Sequence, residues 1–277
     1  MWVFNRVLGG LLGGLQRPLE GLPAEIGLLL WSLIASVLML LVVKRTTNQV
    51  ALAAVKRQIH GCMFEIRLLN DDLRAILRAQ VELLRHNGRY LLLSLPPLAV
   101  MMVPLVVLIG HLHGFYGFSP VRPGDEVLVR VALAGAPATA AGRPQVSLEL
   151  PAGLTAVTPA VWAPQLEEMA WRVRAERPGR HQLEVVLAGQ RFAKELTVGG
   201  GVVQVSPERP DHSLLGQLTW PGEPPLPEGA PVRLVAVSYP PRHLVLLGAW
   251  EYGWMVWFMV LSVAFAFALR KPLGVTI

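Results

Sequence analysis

The residues of this chain that can do chemistry are few, and most stand inside or beside apolar runs. Ser32 and Ser36 lie one turn apart in an uninterrupted apolar run of eighteen residues, 26–43, which Lys44 and Arg45 close. Arg89 precedes a second run, 91–112, and Ser94 lies just inside it. Two readings of the serines stay open. They are small residues at a helix–helix contact, or the polar wall of a hydrated groove that lowers the cost of bringing polar groups to membrane depth. His111 and His113 mark the outer end of the second run; a metal would need further ligands nearby, and none is visible, so the pair reads as interfacial. The single cysteine, Cys62, excludes an intramolecular disulfide and reads as a small buried residue. No Ser-His-Asp set, glycosidase-like carboxylate pair, zinc spacing or phosphate loop is found. Neither an enzyme nor a cofactor or metal is expected.

The stretch that must position these groups is 44–90. It holds nine Lys or Arg against four acids, a bias that places it on the cytoplasmic side of a membrane. Leu52, Val55, Ile59, Cys62, Ile66, Leu69, Leu73, Ile76 and Leu83 recur at steps of three and four, with Gln80 at the one polar seam position. A continuous helix of that length would extend about 70 Å, yet the chain must return to the membrane at Leu91. The helix is therefore expected to break at Asn70-Asp71-Asp72 and fold back as an antiparallel hairpin.

Composition agrees with a membrane protein that carries a sizeable non-helical part. The chain of 277 residues is 53% hydrophobic, with a mean hydropathy of +0.46, yet it holds 23 Pro and 26 Gly. Its net charge of +6 sits largely in 44–90, which suits anionic lipid or a ribosome; no DNA partner is expected. Residues 1–20 read as an interfacial amphipathic helix with Val3, Phe4, Val7, Leu8, Leu11, Leu12 and Leu15 on one face, or else as a disordered or signal-like leader, because two Gly-Gly pairs weaken the helix. Residues 249–269 form a third apolar run, with Trp250, Tyr252, Trp254 and Trp257 as an aromatic belt and a basic tail, 270–277, beyond it. Between the second and third runs, 118–247 alternates with period two over Glu126–Leu133, 145–150, 169–175, 182–187, 192–198 and 232–237, as an antiparallel sandwich does. The segment around Pro178-Gly179 resembles an immunoglobulin-like corner with His181 at the aromatic position. The expected fold is an α-helical membrane protein of three spans with a cytoplasmic helical hairpin and an inserted extracytoplasmic all-β sandwich. The N-terminus would lie outside and the C-terminus inside a bacterial-type inner membrane.

Lys44-Arg-Thr-Thr-Asn-Gln at the exit of the first span, and 75–104 running into a proline-bearing second span, resemble the YidC-like membrane insertase superfamily, in its minimal three-span form. The resemblance covers 1–112 and 249–277. No span carries the internal arginine of many bacterial members, and about 130 residues of β structure replace a short loop. The resemblance implies a non-enzymatic insertase or membrane chaperone. A cytoplasm-open groove walled by Ser32, Ser36 and Ser94, with Lys44, Arg45 and Arg89 at its mouth, would take nascent membrane-protein clients, and the basic hairpin would receive the client or a ribosome. The alternative is a structural subunit whose external β domain binds a protein partner.

Overall fold

The computed structural model describes residues 1–69, 72–134, 144–245, 248–249 and 252–275. The chain forms two compact units, Met1–Leu28 with Val107–Trp257 and Leu29–Val106 with Phe258–Ile277. Helix α2 (Ala24–Thr46) and helix α4 (Leu73–Tyr116) are long and apolar enough to cross a membrane; α6 (Gly253–Leu269), at 17 residues, is a shorter apolar helix. Of the expected aromatic belt, Trp250 lies outside the described residues.

In the helical unit each helix end has a local cause. Lys44 and Arg45 occupy the last turn of α2, where cations oppose the negative end of the helix dipole. Asn48 caps α3 (Gln49–Leu68), its side chain accepting the Ala51 N–H at 3.0 Å. Asp72 caps α4, accepting the N–H groups of Arg74 and Ala75 at 2.9 and 3.3 Å. Helix α3 thus ends at Leu68 and α4 begins at Leu73, and the other two expected break residues, Asn70 and Asp71, lie outside the described residues. Leu52, Val55 and Cys62 are buried on α3, as the seam requires. On α4 the seam differs from the sequence reading: Gln80 is exposed and Ala79, 1% exposed, is buried instead. Leu73 is likewise 70% exposed. The neighbouring seam positions Ile76 and Leu83 are partly buried as expected, so the seam steps by three rather than four from Ile76. The helix then continues without interruption through Pro96, Pro97 and Pro104, where 44–90 and 91–112 read as separate segments.

The other unit is built around an antiparallel β core. One sheet has the order β3-β5-β1-β9-β8, with β4 also on β5: β1 (Glu126–Leu133), β3 (Leu154–Ala156), β4 (Val161–Ala163), β5 (Glu168–Ala175), β8 (Glu208–Arg209) and β9 (Val232–Val237). A second sheet orders β2 (Val146–Glu149), β6 (Gly179–Leu187) and β7 (Gln190–Val198); β10 (His243–Leu244) and β11 (Gly248–Ala249) form a small pair. The inward residues of both larger sheets, among them Val129, Met169, Val173, Leu183, Val185 and Leu196, share one core. This is the burial that period-two alternation predicts. A short helix, α5 (Leu214–Thr219), lies between β8 and β9 and is capped by Ser213.

Helix α1 (Trp2–Gln16) belongs to this unit. Val3, Phe4, Val7, Leu11 and Leu15 are exposed, whereas Asn5, Leu12 and Gln16 are buried. The apolar face of the sequence reading thus divides, with Leu12 turned inward. Asn5 donates to the Gln217 carbonyl at 2.7 Å, and Tyr116 at the end of α4 donates to Gln16 at 3.1 Å. His111 and His113 have separate neighbours. His111 Nδ1 lies 2.9 Å from Val107 O, while His113 accepts the Trp254 indole N–H at 3.2 Å and packs among Phe118, Trp220 and Tyr252.

Tyr239 is the clearest single polar tie in the β core. Its hydroxyl oxygen accepts the buried Thr197 N–H at 2.8 Å, and burial pushes the phenol well above its ordinary range. Tyr239→Phe leaves that N–H without an acceptor and is expected to cost about 1–3 kcal/mol. A urea titration of the β signal checks it; an unchanged midpoint would show that the bond is replaced.

Candidate functional site

The helical unit holds a cavity of about 350 Å³. Met39, Leu40 and Val43 of α2, Leu52 of α3 and Ala266 of α6 supply an apolar wall. Tyr90, Ser94, Pro97, Leu98 and Met101 of α4 form the opposite side. The 3.6-residue period makes this possible, since 90, 94, 97, 98 and 101 fall on one helical face. Pro97 is buried there although Pro96 is exposed.

Besides Tyr90, two hydroxyl-bearing side chains break the apolar lining. Ser94 Oγ is half-buried and donates to the Tyr90 carbonyl at 2.9 Å. Thr47, in the turn between α2 and α3, is 9% exposed, and its buried Oγ1 has no hydrogen-bond partner. An unsatisfied buried hydroxyl costs free energy that a ligand can recover. Close by, Lys56 Nζ lies 5.6 Å from the Tyr90 ring centroid, a cation–π distance.

Of the six residues expected at a groove, Ser94 lines this cavity. Ser32 and Ser36 do not; they are 0% and 2% exposed. Ser36 Oγ stands 2.6 Å from Ser32 O and 2.8 Å from Ser262 O, so it joins α2 to α6, as a small polar residue does at a helix–helix contact. Lys44 donates from Nζ to the Leu273 carbonyl at 2.8 Å and holds the segment after α6. Arg45 and Arg89 are exposed. Thr47 and Lys56 were not singled out in the sequence. Thr47 stood in view within the basic, threonine-containing exit, but its burial depends on α3 folding back.

The β unit carries a second polar centre. Lys194 of β7 is fully buried; its ammonium donates to Ser206 O at 2.5 Å and pairs with Glu223. The other Glu223 oxygen accepts the Glu195 N–H at 3.2 Å. Arg209 reaches the carbonyls of Ala193 and Pro224 at 2.7 and 3.0 Å. Burial pushes Lys194 below the ordinary lysine range, and the Glu223 carboxylate opposes that shift. Each partner is tied to backbone, so this centre fastens the 206–225 segment onto β7. Among the described residues no group of three or more His, Cys, Asp or Glu is placed to hold a metal.

No protein-family model, curated protein or solved structure matches this chain.

Proposed function

We propose that this chain is a membrane-protein insertase or membrane chaperone of the type its layout resembles, with the cavity between α2, α3, α4 and α6 as the client-facing groove. The observation that carries the reading is Thr47: a buried, unpartnered hydroxyl in a largely apolar cavity. An apolar client segment fills the cavity, and a polar group on it satisfies Thr47. Ser94 offers a second hydroxyl one wall away. The basic hairpin, with Lys56, Arg45 and Arg89 on or beside it, receives acidic client groups before they reach the groove.

In this reading α6 is the third span. It contains no charged residue and is followed by Arg270 and Lys271. In the same reading the hairpin and C-terminus lie in the cytoplasm and the β unit outside an inner membrane, an orientation that the Lys/Arg-rich flanks favour. The β unit is immunoglobulin-like in the same reading. His181 Nε2 lies 2.8 Å from the Arg177 carbonyl, a backbone bond like the one a corner tyrosine makes.

The purified chain in vesicles should insert a small client with a polar outer tail without nucleotide or metal. A chain that inserts nothing, and that leaves the membrane only in one stoichiometric complex, supports the structural-subunit reading instead. Topology is tested separately in intact cells. Cys62 is 6% exposed and labels slowly, so exposed Gln58→Cys supplies the probe. A membrane-impermeant maleimide should label it only after permeabilisation. Labelling of intact cells would reverse the orientation.

A further inference from the structure

We infer that the glycine face of α1 is the floor of a binding site for a phospholipid headgroup, with the phosphate held by Arg6 and Arg17 and a headgroup donor facing Asn5. Gly10, Gly13 and Gly14 are ordinary right-handed helical residues, and a methyl group placed on any of them meets no atom within 4 Å. Neither backbone conformation nor packing within the chain therefore calls for glycine. Each nevertheless weakens the helix by roughly 0.5–1 kcal/mol relative to alanine. What their absent side chains leave is space, a cavity of about 280 Å³.

The surroundings of that space state the ligand's chemistry. Arg6 and Arg17 line it from the two ends of α1, about 16 Å apart by helical rise. Neither has a carboxylate partner among the described residues. Arg180 lines it too, although it also reaches Glu195 at 3.6 Å. Three guanidinium groups around a floor without side chains admit a phosphate closely, and guanidinium matches phosphate oxygens in pairs. Asn5 also lines the cavity and is 1% exposed; its amide N–H₂ is engaged with Gln217, and its buried Oδ1 has no partner. An acceptor left over in this way asks for a donor such as an ammonium or hydroxyl group. A phosphoethanolamine headgroup has both charges. Its acyl chains have a place as well, since Val7 and Leu11 continue from the glycine face around α1 as exposed apolar surface.

The site rests on the chain being a membrane protein, as proposed above, with α1 as the interfacial helix that its sequence suggests, but not on insertase activity. A chain that inserts no client yet retains the lipid separates the two. The test uses the full chain, delipidated in detergent and then given dioleoylphosphatidylethanolamine, with bound lipid counted by mass spectrometry of the intact complex. One lipid should be retained per chain. Arg6→Gln with Arg17→Gln, both exposed positions, should lower retention about ten-fold, and Gly13→Leu, which fills the floor, should do the same. Circular dichroism confirms that each variant is folded. Soluble glycerophosphoethanolamine should compete with the lipid, whereas inorganic phosphate should not. Unchanged retention in the arginine pair and in Gly13→Leu overturns the site. Equal retention of uncharged dioleoylglycerol, or displacement by inorganic phosphate alone, overturns the headgroup assignment.

Discussion

Lys194→Met is expected to destabilise the β unit by about 3–5 kcal/mol, because it strands a buried carboxylate. Lys194 is fully buried and paired with Glu223, itself nearly buried, so the methionine variant keeps the volume of the lysine stem but leaves Glu223 without its cation. The Ser206 carbonyl loses its donor at the same time. With a urea slope of ~2 kcal/mol/M, the unfolding midpoint should fall by about 2 M. Pulse proteolysis of the full chain in detergent reads this directly, through loss of the β unit across a urea series. The double variant Lys194→Met with Glu223→Leu should recover most of the loss, since replacing both members of a buried pair by apolar groups is often neutral. A midpoint shift of about 0.5 M or less in the single variant would show that water reaches the pair and that the 206–225 segment is held by other bonds.

The second large effect is expected at the groove. Thr47→Leu together with Ser94→Leu removes both hydroxyls from the cavity and fills part of its volume. Insertion of a client with a polar tail should fall at least about ten-fold, because each polar group buried without a partner costs on the order of 1–3 kcal/mol. Folding should survive, since leucine suits an apolar cavity and a membrane. Ser36→Leu has a different expected outcome. Ser36 bonds across to Ser262, so leucine there separates α2 from α6 and lowers the amount of folded protein. Retained insertion by the Thr47/Ser94 variant, assayed in vesicles at matched protein amounts, would remove the hydroxyls from the mechanism.

How far the sequence carried can be traced residue by residue. Strand parity was legible: Glu126–Leu133 is β1 to the residue, because alternation reports directly which side faces the core. The same parity places Lys194 inward between Phe192 and Leu196, and this signal was readable. Its partner was not, since Glu223 lies 29 residues away in a Pro/Gly-rich loop and only the fold brings the two together. The break before α4 and the capping Asp72 were legible from the length of the helical stretch and from the cap preference of Asp. The seam residue Ala79 was missed because steps of three and four both occur in a heptad, and after Ile76 they leave 79 and 80 equally open. Ser32 and Ser36 were seen, but a serine in an apolar helix looks the same whether it faces a groove or a neighbouring helix. Which it faces depends on where α6 lies, and that is decided by contacts between segments more than 200 residues apart.

The groove is tested most directly by photocrosslinking from within it. A crosslinking residue at Leu98 or Met101, both lining the cavity, is compared with one at Val103, on the same helix but 68% exposed and outside it. During insertion of a polar-tailed client into vesicles, a groove that receives the client gives strong adducts at Leu98 and Met101 and weak ones at Val103. Equal adducts at all three positions, or adducts at Val103 alone, would contradict a client-binding groove in this protein.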